Sequence, residues 1–163
     1  MTLAEEVELL KKIPLFTNVE TSKLKLLAFT SERVSFHAGD VLFKQSEIGT
    51  CAYIIISGEA DVIVETPAGS LTVAKVGTND FVGEIAILCD VPRTATVRAR
   101  TEMTTLCISK DLFFRMVTEF PQMAVEIMRV LAQRLENTTR QLREAVSQGA
   151  PSQIETAQIE SPP

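Results

Sequence analysis

The sequence predicts a mainly β domain with flanking helices, an eight-stranded jelly roll or barrel, and three observations carry that reading. Between residues 33 and 109, short β-patterned segments alternate with turn residues. On either side of that stretch, apolar residues recur at helical spacing. The 163 residues suffice for one domain with its own core and a short appendage, and 45% apolar with 23% charged residues is ordinary globular usage.

Taken in order, residues 1–32 read as N-terminal helices. Leu3, Val7 and Leu10 recur at i, i+4, i+7; Ile13-Pro14-Leu15-Phe16 breaks the pattern, and Leu24, Leu27 and Ala28 restart it. The β-roll, 33–109, reads as strands at 33–37, 41–44, 52–57, 60–65, 71–76, 80–82, 95–99 and 104–109. Gly39-Asp40, Gly49, Gly58, Pro67-Ala68-Gly69 and Gly77 supply the turns. One interruption stands out: 83–88 (GEIAIL) reads as a short helical turn, followed by a loop through Pro92.

Residues 110–146 return to helix. A helix is expected over 112–119, and Pro121 suits the first position of the next, where its missing N–H costs nothing. In that helix Ala124, Met128, Leu131, Leu135, Thr138 and Leu142 form a heptad-like stripe. The stripe fits a helix pair between subunits and equally a helix lying on its own barrel. Residues 1–146 thus form one domain. The segment 147–163 holds three of the seven prolines and no aromatic or basic residue, so a disordered tail is expected there.

Composition excludes several classes of activity. The single histidine, His37 at a strand end beside a Gly-Asp turn, would have to serve any Ser-His-Asp or Cys-His system and reads as a solvated residue, and a metal site would have one imidazole at most, so no metal, no cofactor and no enzymatic activity are expected. Cys51, Cys89 and Cys107 form no C-x-x-C pair, which disfavours a disulfide framework or zinc knuckle and fits a reducing, cytoplasmic setting. Cys107 sits in an apolar run and Cys89 in a polar loop. The start is acidic and amphipathic, unlike a leader peptide, and no apolar run approaches the ~20 residues of a membrane span. A net charge of −5 argues against a nucleic-acid surface.

The chemistry concentrates in residues 80–99, DFVGEIAILCDVPRTATVRA. Gly83 lets a ligand approach the backbone, and the N–H groups of Ile85 and Ala86 open a helical turn, a favourable place for an anion. Ten residues after Gly83 comes Arg93, whose guanidinium can pair two phosphate oxygens, with the Thr94 hydroxyl beside it. Glu84 would be repelled by a phosphate unless it meets a hydroxyl donor, and a ribose 2′-OH is such a donor. An anion clamp next to a carboxylate points to a phosphate that carries a sugar.

This combination resembles the cyclic nucleotide-binding domain family, whose phosphate-binding cassette reads approximately F-G-E-[IL]-[AG]-[IL]-L-x(3)-P-R-[ST]-A-[ST]-V. Gly83, Glu84, Ile85, Ala86, Ile87, Leu88, Pro92, Arg93, Thr94, Ala95, Thr96 and Val97 all match, and the resemblance runs over 10–143, including Gly39-Asp40-Val41-Leu42-Phe43 and Tyr53-Ile54-Ile55-Ile56-Ser57-Gly58-Glu59. It implies an eight-stranded β-roll in which Glu84 accepts the ribose 2′-OH and Arg93 pairs the cyclic phosphate. Gly83, Ile85, Ala86 and Ala95 would offer backbone contacts, and Thr94 its hydroxyl. Three positions depart from the pattern: Asn79 and Ser46 stand where glycine is usual, and Val82 where Phe is common.

Within the family, 93–140 is similar without a gap to the sensor half of the bacterial catabolite activators. That similarity implies a homodimer through the last helix, with Thr138 and Thr139 near an adenine base. The implied ligand is cAMP; Thr94 after the cassette arginine resembles cGMP-binding members as well. Only 17 residues follow Val146, too few for a DNA-binding domain, so the expected output is a protein effector and the expected molecule a stand-alone sensor. A scaffold with a vestigial site is the competing reading, opposed by the intact Glu84 and Arg93.

Overall fold

The computed structural model describes residues 2–148. They fall into two compact units, the first reaching to Ala124 and the second starting at Val125.

In the first unit, helix α1 (Leu3–Lys11) starts at a reciprocal cap. The Glu5 N–H donates to Thr2 Oγ1 at 3.3 Å and the Thr2 N–H to Glu5 Oε2 at 2.8 Å, satisfying two donors that a helix end otherwise leaves orphaned. A 3-10 turn over Pro14–Phe16 and helix α2 (Thr21–Thr30) follow. Val7, Leu10, Leu24, Leu27 and Ala28 are buried, as the helical periodicity requires, while Leu3 is exposed.

The strands are β1 (Glu32–Phe36), β2 (Val41–Phe43), β3 (Cys51–Ser57), β4 (Ala60–Thr66), β5 (Gly69–Val76), β6 (Phe81–Val82), β7 (Thr96–Ala99) and β8 (Met103–Ser109), with the short helix α3 (Glu84–Cys89) between β6 and β7. Each of the eight β segments expected from the sequence is present, with its ends within about two residues. They form two antiparallel four-stranded sheets, ordered β1-β8-β3-β6 and β2-β7-β4-β5. The roll is therefore a two-sheet jelly roll, and the closed barrel offered as one alternative by the sequence is not formed. Closure needs every edge strand to ladder onto a neighbour. Here β6 has two residues, and the pairing of β2 shifts register between Val41 and Phe43, leaving too little ladder to bridge the sheets.

Between the strands lies a cluster of buried Leu42, Ile55, Ala60, Val82, Val97, Ala99 and Met103, with Phe36, Phe43, Tyr53, Val62 and Val76 packed against it. Val82 and Val97 are core residues that flank α3 and the loop after it. The core therefore pins both ends of the segment on which the chemistry concentrates.

Helix α4 (Lys110–Glu119) begins two residues before the expected start because Ser109 caps it, its Oγ accepting from the Leu112 N–H at 3.2 Å. Helix α5 (Pro121–Gln148) opens on Pro121 as expected and supplies the described part of the second unit. There Arg129–Glu126 and Arg140–Glu136 ion pairs line the helix, and Met128, Leu135 and Leu142 are 59%, 68% and 52% exposed. Ser147 and Gln148 are helical, and the rest of the expected tail, 149–163, lies outside the described residues. Among the described residues no helix is long and apolar enough to cross a membrane, and no group of three or more His, Cys, Asp or Glu could hold a metal ion.

The β3–β4 turn depends on Gly58 (φ +100), where a Cβ would strike the Glu102 carbonyl oxygen and come within 2.8 Å of Met103. Gly58→Ala should cost roughly 1–3 kcal/mol, from left-handed strain plus a backbone clash. Gly77→Ala, whose Cβ would meet nothing closer than 3.7 Å, should stay within about 0.5 kcal/mol of the parent. Urea unfolding midpoints measure both.

Candidate functional site

Residue Gly83 follows β6 in the left-handed conformation (φ 87°, ψ 5°) and is the N-cap of α3, so the chain turns sharply there. The Gly83 carbonyl accepts a hydrogen bond from Arg93 Nη1 at 2.9 Å. Arg93 Nη2 donates to the carbonyl of Cys51, the first residue of β3, at 2.7 Å. Arg93 is 5% exposed, and its Cζ lies 4.1 Å from the centroid of the Phe43 ring. The two carbonyls use two of the guanidinium's five N–H groups, and both acceptors are neutral.

The loop between β2 and β3 is laced to this arginine. The Ser46 N–H donates to the Arg93 carbonyl and the Arg93 N–H to the Glu47 carbonyl, both at 2.8 Å, and the Gln45 N–H donates to Thr96 Oγ1 at 2.9 Å. Gly49 then passes so close that a Cβ there would sit 2.8 Å from Arg93 Cζ and from Ala86 Cβ. Ser46 and Asn79, the two substituted glycine positions, hold φ of 75° and 76°. Asparagine visits this region readily and serine at some cost, so both turns survive the exchange.

Of the residues singled out by sequence, Gly83 and Arg93 are joined by a hydrogen bond, and Ala86 and Arg93 both lie against Gly49. Glu84 is 3% exposed in the first turn of α3; Ala95 is buried, while Ile85 and Thr94 are exposed. Thr138 and Thr139 belong to the second unit, where both are exposed and Thr138 Oγ1 donates to the Arg134 carbonyl at 2.9 Å. Sequence reasoning missed Phe43, Gly49 and the Cys51 carbonyl. Phe43 reads as one more apolar strand residue, Gly49 as turn punctuation, and a backbone acceptor 42 residues from its donor leaves no trace in side-chain identities.

Beside the arginine, Cys51, Tyr53 and Cys107 share one face of the β3–β8 ladder, Tyr53 opposite Cys107. Burial first, then the hydrogen bond with Cys51, pushes the Cys107 thiol up to about 12. Burial likewise raises the Tyr53 phenol well above its ordinary value, with neighbouring Cys51 next among the causes. Because burial penalises the thiolate, Cys107 stays in its unreactive thiol form at pH 8. Iodoacetamide at that pH should therefore label exposed Cys89 first and leave Cys107 unmodified until the protein unfolds, as peptide mass mapping would read.

Residues 33–120, more than half of the chain, match the family model described as the cyclic nucleotide-binding domain. The chain is 28% identical over 148 residues to a CRP-like cAMP-activated global transcriptional regulator of Mycobacterium tuberculosis, covering 90% of this chain and 66% of that one. It is similar in structure to a cyclic nucleotide-binding-like protein from Brucella abortus, with 31% identity and a TM-score of 0.59 over 70% of this chain and 98% of the other. In fold alone it is similar to the sensor domain of the transcriptional regulator DNR from Pseudomonas aeruginosa, with 22% identity and a TM-score of 0.72 over 85% and 93% of the two chains. A two-sheet roll that buries an arginine behind a glycine-opened helix, together with the match across 33–120, makes the chain a member of the cyclic nucleotide-binding domain family.

Proposed function

We propose that this chain is a cyclic-nucleotide sensor that binds cAMP at the 80–99 cassette and transmits the event to a protein effector. The observation that carries the reading is the buried Arg93 guanidinium, fixed by the Gly83 and Cys51 carbonyls with donors to spare. A buried cation without an anionic ligand is costly, and a cyclic phosphate is a ligand that would use it. Glu84 would accept the ribose 2′-OH, with Gly83, Ile85, Ala86 and Ala95 offering backbone contacts and Thr94 its hydroxyl. The similar mycobacterial regulator is cAMP-activated by name, which favours adenine; cGMP is the second ligand to titrate. The role is binding and regulation, as in that relative, and catalysis is no part of it.

The stripe of Met128, Leu135 and Leu142 on α5, each more than half exposed, supports a homodimer in which the facing apolar rows cover one another. In that arrangement Thr138 or Thr139 would reach the base, and ligand and dimer would strengthen each other reciprocally.

Three measurements test this reading. Arg93→Leu should weaken cAMP binding by one to several decades, since each charge-assisted bond contributes roughly 1.5–3 kcal/mol; unchanged calorimetric affinity in a variant folded by circular dichroism refutes the assignment. A 2′-deoxy analogue should bind at least about tenfold more weakly than cAMP if Glu84 holds the 2′-OH. Sedimentation of wild type and Leu135→Asp, with and without cAMP, should give a dimer only for the wild type. A monomer with full affinity removes the dimer and leaves the nucleotide site standing.

A further inference from the structure

We propose that Phe43 is a positioning residue for the phosphate clamp, setting the tilt of the Arg93 guanidinium; this rests on the cyclic-nucleotide reading above. The two carbonyl bonds, to Gly83 and Cys51, hold Nη1 and Nη2, and beyond them only the rotatable side-chain stem limits how the plane tilts about the line joining them. The further constraint is a surface. The Phe43 ring lies 4.1 Å from Arg93 Cζ, within cation–π range of a desolvated guanidinium.

The ring is itself held from behind. It stacks on Tyr53 at 6.1 Å with an interplanar angle of 20°, and Tyr53 meets Phe36 edge-on at 6.0 Å. Phe36, Tyr53 and Phe43 all pack on the buried cluster, so the arginine is referred through a row of rings to the core. Both glycines that crowd the guanidinium leave it room against the ring. A Cβ at Gly83 would come 3.3 Å from Phe43 Cε2 and 2.5 Å from Arg93 Nη1, and one at Gly49 would come 2.9 Å from Arg93 Nε.

Arginine is a rotamer-rich side chain, and binding gains when its ordering precedes the ligand. A cyclic phosphate presents two inequivalent exocyclic oxygens, so the tilt of the guanidinium decides which one it serves. Phe43 would thereby affect affinity and also the discrimination between those oxygens, without touching the ligand.

The test is calorimetry with cAMP and the two phosphorothioate diastereomers of cAMP. The proteins are wild type, Phe43→Leu, Phe43→Tyr, Arg93→Lys and the Phe43→Leu/Arg93→Lys double variant, each checked by thermal melting. Phe43→Leu should weaken cAMP binding about tenfold, roughly 1.4 kcal/mol, and move the diastereomer affinity ratio toward one. Phe43→Tyr, which keeps a ring face, should retain the wild-type ratio. In the Arg93→Lys background, where no plane exists to be tilted, Phe43→Leu should cost less than about twofold.

A folded Phe43→Leu that binds with wild-type affinity and ratio overturns the proposal. So does an equal loss in both backgrounds with the ratio unchanged, since that marks a packing role only. If Phe43→Leu does not fold, Phe43→Met is read against the same expectations. Wild type that binds no cyclic nucleotide removes the cyclic-nucleotide reading and this proposal with it; binding wild type with an indifferent Phe43 removes this proposal alone.

Discussion

The arrangement around the cassette depends on a single pair of hydrogen bonds, from Arg93 to the Gly83 and Cys51 carbonyls. Through them one side chain joins the end of β6, the start of β3 and the loop before β7. Each partner is then constrained in turn. Gly83 must adopt positive φ so that its carbonyl faces the arginine, and Gly49 must lack a Cβ so that the β2–β3 loop can close over it. Ser46 accepts a left-handed φ of 75° so that its N–H reaches the Arg93 carbonyl. Strain at one serine and a buried charge at one arginine are unfavourable separately. They persist because the core, with Val82 on one flank and Val97 on the other, anchors the chain on either side of the bonds that Arg93 makes.

The same dependence explains what was legible in the sequence. Strand and helix positions followed from period and turn residues, because half-buried strands and amphipathic helices obey one local rule each. The glycine–glutamate pair and the arginine ten residues on were legible because both fall within one short segment. The slot that holds the arginine was not, because its walls come from Phe43, Gly49 and Cys51, and two of these contribute backbone or the absence of a side chain. Closure of the roll was illegible for a different reason. Edge pairing depends on how far two short strands extend, and β6 with two residues falls below what turn chemistry specifies.

Burial divides the cassette along its length. Glu84, Ala86, Ile87, Arg93 and Ala95 are buried, whereas Ile85, Leu88, Val91 and Thr94 are exposed. Along α3 the buried and exposed sets alternate at helical spacing, so Ala86 and Ile87 pack inward as on most helices of globular domains, and Glu84 is the one charged residue of the helix that is buried with them.

The arginine's second acceptor ties the site to the chain that leaves the roll. Cys51 follows Thr50, whose carbonyl accepts the backbone N–H of Lys110 at 3.0 Å, and Lys110 is the first residue of α4. The Ser109 cap and a Lys110–Asp90 ion pair at 3.4 Å brace the same junction, the latter from the end of α3. The start of β3 and the end of β8 thus meet at the N-terminus of α4, joined to the site by a side-chain bond from Arg93 to Cys51 and to the helix by a backbone bond from Lys110 to Thr50. Whether that joint carries a signal is then a question of energy and not of distance. A ligand shifts it only to the extent that Arg93 binds the ligand more tightly in one arrangement of the joint than in the other.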